Sequence, residues 1–268
     1  MPKPRLHFAH ANSFPAGTYR QFFTYLRQSY EVQALEMHGH DPQFPVCDGW
    51  PHLVRELEQE LRSRYQEPVI LVGHSLGGML AAMLGATQPQ LVRCVVLLDS
   101  PLVAGWRASS WRLVKALGQG DRFSPAQFSH KRREVWPDIE AAFAHFVAKP
   151  LFACWPKQVL RDYLNAGLVP HEQGVTLRFT RETETAIYRA LPHHFGSLLK
   201  RPYPVPIGFV GGDNSNECRQ AGLQATRRLV GCNFTQIPGG HLFPMENPAQ
   251  AAFATAAMIE NLLAQCKK

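Results

Sequence analysis

Val69-Ile70-Leu71-Val72-Gly73-His74-Ser75-Leu76-Gly77-Gly78 is the stretch on which the fold turns. Four apolar residues read as a fully buried strand. The Leu76–Ala86 segment that follows reads as a helix kept thin by Gly78, Ala81, Ala82 and Gly85. Between them stands Gly-x-Ser-x-Gly. A serine on so sharp a strand-to-helix turn projects its hydroxyl clear of the sheet, and side chains two positions either side would collide, so both are glycine. Strand, turn and helix together read as a nucleophile elbow, with Ser75 as the candidate nucleophile.

Outward from this stretch, apolar runs alternate with amphipathic segments, the rhythm of a parallel α/β sheet. Leu6–Ala9, Glu31–Met37, Pro68–Gly73 and Cys94–Asp99 read as strands. Gly17–Ser29 and Pro51–Tyr65 read as helices, the second with Leu53, Leu57 and Leu61 at fourfold spacing. The rhythm stops after Asp99. Residues 101–203 hold four of the five tryptophans, with short helical pieces at Trp111–Leu117 and Glu140–Val147 and a strand at Gly174–Phe179. It then resumes with a strand at Val205–Val210, a helix at Glu217–Leu229, a strand at Asn233–Ile237 and a closing helix at Pro248–Gln265. The expected organisation is a discontinuous core, 1–100 and 204–268, carrying an insertion at 101–203.

A serine hydroxyl is a weak nucleophile and needs a neighbouring base. Of the 12 histidines, His241 has the best context. It follows Pro238-Gly239-Gly240, directly after the last strand, where a tight glycine loop aims an imidazole across the carboxyl edge of the sheet. Serine before histidine is also the chain order of this type of site.

The 268 residues have the composition of a folded chain, with 45% apolar and 18% charged residues. No segment approaches the roughly 20 apolar residues of a membrane span. Met1-Pro2-Lys3-Pro4-Arg5 runs straight into a strand, so no signal segment is expected. Cys47, Cys94, Cys154, Cys218, Cys232 and Cys266 form no CxxC pair and read as reduced thiols of a cytoplasmic protein. The formal charge is +7, but Lys131-Arg132-Arg133 is the sole tight cluster, which disfavours a nucleic-acid face. His38 and His40, two residues apart, would not share a helical face as metal ligands do. No dinucleotide or phosphate-loop motif occurs, so no cofactor or metal is expected.

The chain resembles the α/β-hydrolase family over most of its length. Phe8-Ala9-His10-Ala11-Asn12 is similar to the family's strand followed by His-Gly, with Ala11 at the glycine. His38-Gly39-His40 is similar to its Gly-His loop. Gly73–Gly77 is the elbow, and Gly239-Gly240-His241-Leu242-Phe243-Pro244-Met245-Glu246-Asn247-Pro248 is similar to the terminal histidine loop. The resemblance implies a mostly parallel sheet of about six strands flanked by helices, without the usual two N-terminal strands. It also implies a largely helical cap at 101–203.

The resemblance further implies an oxyanion hole from the backbone N–H groups of Leu76 and Asn12. The acid has two candidates: Asp99, at the end of the strand before the cap, and Asp213, in Gly211-Gly212-Asp213-Asn214 after the next core strand. His10, His74 and Trp106 are candidates for contacting substrate, although the elbow turns His74 away from the nucleophile. Branches of the family with an aspartate nucleophile are disfavoured by serine at position 75. The expected activity is cleavage of a small-molecule carboxylic ester or thioester. A lyase, a cofactor-free oxygenase and a ligand-binding receptor are the alternatives. Neither the substrate nor the oligomeric state is legible.

Overall fold

The computed structural model describes residues 2–199 and 202–265. Its strands are β1 (Arg5–Ala9), β2 (Glu31–Ala34), β3 (Val69–His74), β4 (Val92–Leu98), β5 (Val135–Trp136), β6 (Leu168–His171), β7 (Gly174–Leu177), β8 (Ile207–Gly212) and β9 (Phe234–Ile237). Six of them form one parallel sheet in the order β2-β1-β3-β4-β8-β9. The six-stranded core expected from the sequence is therefore present, with β3 and β4 in its middle.

The sheet is apolar on both faces because helices cover both. Successive side chains alternate sides. Leu6, Phe8, Ile70, Val72, Val96 and Leu98 pack with the helices Arg20–Leu26 and Pro248–Gln265. Ala9, Val69, Leu71, Val95 and Leu97 pack with the helices Pro51–Arg64 and Leu76–Thr87. Every residue of β3 is buried. Its carboxyl end is thus a rigid platform at the middle of the molecule.

Several local expectations shift. The helix expected over Gly17–Ser29 begins as a 3₁₀ turn at Ala16–Tyr19 and is α-helical only over Arg20–Leu26. Gly17 lies against Ala166 of the inserted segment, where a Cβ would meet the Ala166 Cβ at 2.5 Å. The helix expected over Glu217–Leu229 is two, Asn216–Ala221 and Gln224–Val230. They part at Gly222, whose φ of +73° no helix accommodates. The strand expected at Val205–Val210 starts at Ile207 and runs to Gly212, delayed by Pro204 and Pro206.

Between β4 and β8 the chain forms mostly helices plus a three-stranded antiparallel sheet in the order β5-β7-β6. Two of its helices, Lys157–Gly167 and Arg181–Arg189, are absent from the sequence reading. The second starts at Thr180, whose side chain accepts the Thr183 N–H, an ordinary capping signal. Trp136, Phe146, Phe152, Trp155 and Tyr163 are buried together. They are continuous with the core on one face of the main sheet, with Phe14 packed against Trp155 and Tyr163. The segment also bonds to the main sheet layer, through Gln21 Nε2 to Asp162 Oδ2 at 2.6 Å and Asn12 Nδ2 to the Glu184 carbonyl at 3.2 Å.

Candidate active site

Ser75 occupies the turn between β3 and the helix Leu76–Thr87, at φ 52° and ψ −116°, a conformation that costs any L-residue energy. The surroundings impose it. The Ser75 N–H donates to the Leu98 carbonyl at 3.0 Å. A Cβ on Gly73 would overlap the Gly77 backbone, one on Gly77 the Ala9 carbonyl, and one on Gly78 the Ser100 hydroxyl. The glycines therefore do more than free the turn. They let the helix start press directly onto the ends of β1 and β4.

His241 follows β9. Its loop is tied at Gly240, whose N–H donates to Glu246 Oε2 at 2.7 Å, and at Gly239, whose N–H donates to Asp213 Oδ1 at 3.1 Å. The ring so held lies with Nε2 3.0 Å from Ser75 Oγ and Nδ1 2.7 Å from Asp99 Oδ1.

Of the two carboxylates weighed for the acid, the structure brings Asp99 to the histidine and leaves Asp213 away from it. Asp99 is fully buried at the end of β4, at φ +41°. Its Oδ1 accepts from His241 Nδ1, from Ser215 Oγ at 2.6 Å and from Cys218 Sγ at 3.4 Å. Its Oδ2 accepts the Gly212 N–H at 2.7 Å. Asp213 is exposed and spends its Oδ1 on Gly239 N–H and Asn214 Nδ2, so it anchors the histidine loop. The sequence reading pairs neither Ser215 nor Cys218 with Asp99. The available signal was Ser215 as the cap of Asn216–Ala221, where its hydroxyl accepts the Cys218 N–H. Glu217 was missed as well. Its Oε2 lies 3.8 Å from His241 Nδ1 at a half-exposed position.

Burial of Asp99 opposes its charge, but the His241 bond and charge and the Ser215 and Gly212 donors outweigh it and hold the pKa below the ordinary aspartate value. Burial likewise opposes charge on His241. The Asp99 bond, the Glu217 carboxylate and the Asp99 charge prevail, and its pKa stands above the usual histidine value. Burial, reinforced by Asp99, pushes the Cys218 thiol up to about 12, so it sits beside Asp99 as a neutral S–H.

The Leu76 N–H opens a helix, where no carbonyl four residues back is available. Among the described residues neither it nor the Asn12 N–H donates to another protein group. His10 and His74 prove to be buried framework. His10 Nδ1 bonds the Ala11 carbonyl at 2.8 Å, and its Nε2 accepts the His38 N–H at 2.7 Å. His74 bonds Tyr19 and the His241 carbonyl. Both are fully buried with both ring nitrogens engaged, which leaves no atom for substrate. Trp106 is 70% exposed at the start of the helix Trp106–Ala116, its ring 4.7 Å from the Arg107 guanidinium. It faces solvent and does not reach the Ser75–His241 pair.

One group of possible metal-binding side chains occurs among the described residues: Asp99, Glu217 and His241. Its histidine nitrogen is the one already bonded to Asp99, so the cluster is the same site seen a second way.

A parallel sheet whose central strand ends in a strained serine, with a histidine and a buried carboxylate lined up behind it, defines an α/β hydrolase fold. The chain belongs to the alpha/beta hydrolase family, whose model matches residues 8–255. It is 24% identical over 236 residues to the Abhydrolase domain-containing protein AFT2-1 of Alternaria alternata, covering 73% of this chain and 84% of that protein. Among solved structures it is similar to E-2-(acetamidomethylene)succinate hydrolase, with a TM-score of 0.75 at 20% identity over 97% of this chain and 92% of that one. It is also similar to the peroxisomal alpha-beta-hydrolase Lpx1 from Saccharomyces cerevisiae, with a TM-score of 0.74 at 16% identity over 98% and 78%.

Proposed function

We propose that this chain is a serine hydrolase that cleaves a small-molecule carboxylic ester or thioester through an acyl-enzyme on Ser75. The observation that carries the proposal is the continuous Asp99–His241–Ser75 hydrogen-bonded line, 2.7 Å and 3.0 Å. A buried carboxylate at Nδ1 requires the proton on that nitrogen, leaving Nε2 as a lone pair facing the hydroxyl.

In this reading the Ser75 oxygen attacks the carbonyl carbon while His241 Nε2 takes its proton. Charge on the carbonyl oxygen is met by the N–H groups of Leu76 and Asn12. Collapse expels the alcohol or thiol, which receives the proton from His241. Water then attacks the acyl-serine, gives its proton to the same nitrogen, and the acid leaves as Ser75 is restored. Asp99 stays ionised and stabilises the imidazolium in both halves. Residues 101–203 act as a cap over the sheet's carboxyl edge, a role supported by the Asn12–Glu184 contact. A soluble cytoplasmic setting is supported by Cys47, Cys154, Cys218 and Cys232, none of which is in a disulfide.

The test is labelling with a fluorophosphonate, peptide mapping, and turnover of p-nitrophenyl butyrate. Adduct on Ser75, with adduct and turnover both lost in Ser75→Ala and His241→Ala, is the expected result. A folded protein that takes no label and turns over no ester overturns the reading.

A further inference from the structure

We propose that Tyr19 and His74 are positioning residues that lock the loop carrying the Asn12 N–H to the loop carrying His241. The inference rests on the hydrolase reading above, and it concerns groups that touch neither substrate nor Ser75 Oγ.

Three hydrogen bonds form an unbroken chain. The Ala11 N–H meets Tyr19 Oη at 3.1 Å, Tyr19 Oη meets His74 Nδ1 at 2.7 Å, and His74 Nε2 meets the His241 carbonyl at 2.8 Å. Ala11, Tyr19 and His74 are all buried. The proton on each link has one possible place. A carbonyl only accepts, so His74 Nε2 carries hydrogen. Burial, helped by the neighbouring His241, lowers the His74 pKa to about 3, so the ring is neutral and Nδ1 is a bare lone pair. Tyr19 must then donate to it, and burial keeps that phenol protonated. The remaining Tyr19 lone pair takes the Ala11 N–H.

The two ends of this chain are the two loops that must be set against Ser75. Ala11 is joined through one planar peptide to Asn12, so holding its backbone aims the next N–H. The other end grips the backbone of His241 itself. Apolar side chains of similar size would fill the same space but strip the Ala11 N–H and the His241 carbonyl of these partners, whereas each neutral hydrogen bond of the chain adds only about 1 kcal/mol net. What the chain supplies beyond packing is fixed geometry. Displacing a reacting group by about 1 Å can slow a reaction by about a hundredfold.

The experiment compares the wild-type chain with Tyr19→Phe, His74→Leu, His74→Gln and the double variant Tyr19→Phe/His74→Leu. It measures the second-order rate of Ser75 labelling by a fluorophosphonate, and kcat and KM for p-nitrophenyl butyrate. All are read at a temperature where circular dichroism shows each variant fully folded. Tyr19→Phe and His74→Leu are expected to label about tenfold more slowly. Their kcat falls in step, with KM within about twofold of wild type. His74→Gln, which keeps a donor near the Nε2 position, retains most of the rate, and the double variant is no slower than His74→Leu because both interrupt one chain.

Wild-type rates in folded Tyr19→Phe and His74→Leu overturn the inference, as do losses that multiply in the double variant. If Tyr19→Phe fails to fold, the contrast between His74→Gln and His74→Leu decides, and equal rates in that pair overturn it. A wild-type chain that takes no label refutes the hydrolase reading itself. Labelled Ser75 with unaffected variants refutes only this inference.

Discussion

Asp99 Oδ1 and His241 Nδ1 lie 2.7 Å apart although 142 positions separate the residues in the chain. The same carboxylate accepts from Ser215, Cys218 and Gly212, so both its oxygens are engaged within the protein. A buried charge held by this many donors is oriented as well as stabilised.

Replacing it is therefore expected to be far costlier than replacing its competitor. Asp99→Asn should lower kcat for p-nitrophenyl butyrate by about three to four powers of ten, the scale seen when a triad carboxylate is neutralised. Asp213→Asn loosens one loop tether worth about 1 kcal/mol and should cost less than about tenfold. Steady-state kinetics on the two variants check this. Equal losses would show that the loop tether matters as much as the acid.

Ser75→Gly should separate stability from activity. The native φ of 52° is strained for serine and open to glycine. The variant is expected to lose all fluorophosphonate labelling while melting at the same temperature as the wild type or higher. Relief of strain at one such residue is about 1 kcal/mol. A melting temperature several degrees lower would mean that the turn is not held under strain.

The acid limb of activity should move with Glu217. Burial opposes protonation of His241, but the Asp99 bond and the Glu217 carboxylate raise its pKa. The unprotonated form is the base, so activity is lost as pH falls through a pKa above the usual histidine value. Glu217→Gln removes one raising charge and should carry the limb to lower pH. The half-exposed position keeps the shift small, and it shrinks further in high salt. A pH profile of kcat/KM measures it, and an unmoved or upward-shifted limb would count against the role of Glu217.

Acid should destabilise the fold well before the carboxylates titrate. His7, His10 and His74 are fully buried. Burial lowers the pKa of His7 and His74 to about 3, and that of His10 well below its ordinary value. Below about pH 6.5 the unfolded chain takes up protons at these rings and the folded chain does not, so stability falls as pH falls. His241 has the opposite sign, but its contribution is complete once pH is below the unfolded histidine value. Urea unfolding between pH 6 and 5 should show an uptake of about three protons at these rings, with more from His40, His145 and His193, whose pKa values burial also lowers. A flat profile would mean that the folded state admits protons at these rings.

The elbow and the histidine loop were legible because each is local. A buried apolar run, two glycines around a serine and a small-residue helix follow one another directly, and one steric demand, that of Gly73 on the Gly77 backbone, acts within that stretch. His241 carries its glycine loop with it. By contrast, the inserted segment had no regular βα rhythm to read. Two helices missed there, Lys157–Gly167 and Arg181–Arg189, meet the core through long-range contacts, Tyr163 against Phe14 and the Glu184 carbonyl on the Asn12 side chain.

The acid shows where local reading stops. Asp99 and Asp213 stand at the carboxyl ends of β4 and β8, each after an apolar strand, and nothing within a few residues ranks one above the other. Those strands are neighbours in the sheet, with Leu98 opposite Val210 and the Asp99 N–H on the Val210 carbonyl. That register carries Asp213 past the sheet edge to the backbone of the histidine loop and leaves Asp99 beneath the imidazole. The sequence by itself determined the parallel core, the serine turn and the glycine loop around His241, because the patterns that mark them lie among near neighbours in the chain. Tertiary structure alone decided which carboxylate faces the histidine, and that His10 and His74 are framework, because both depend on how separate strands and loops pack.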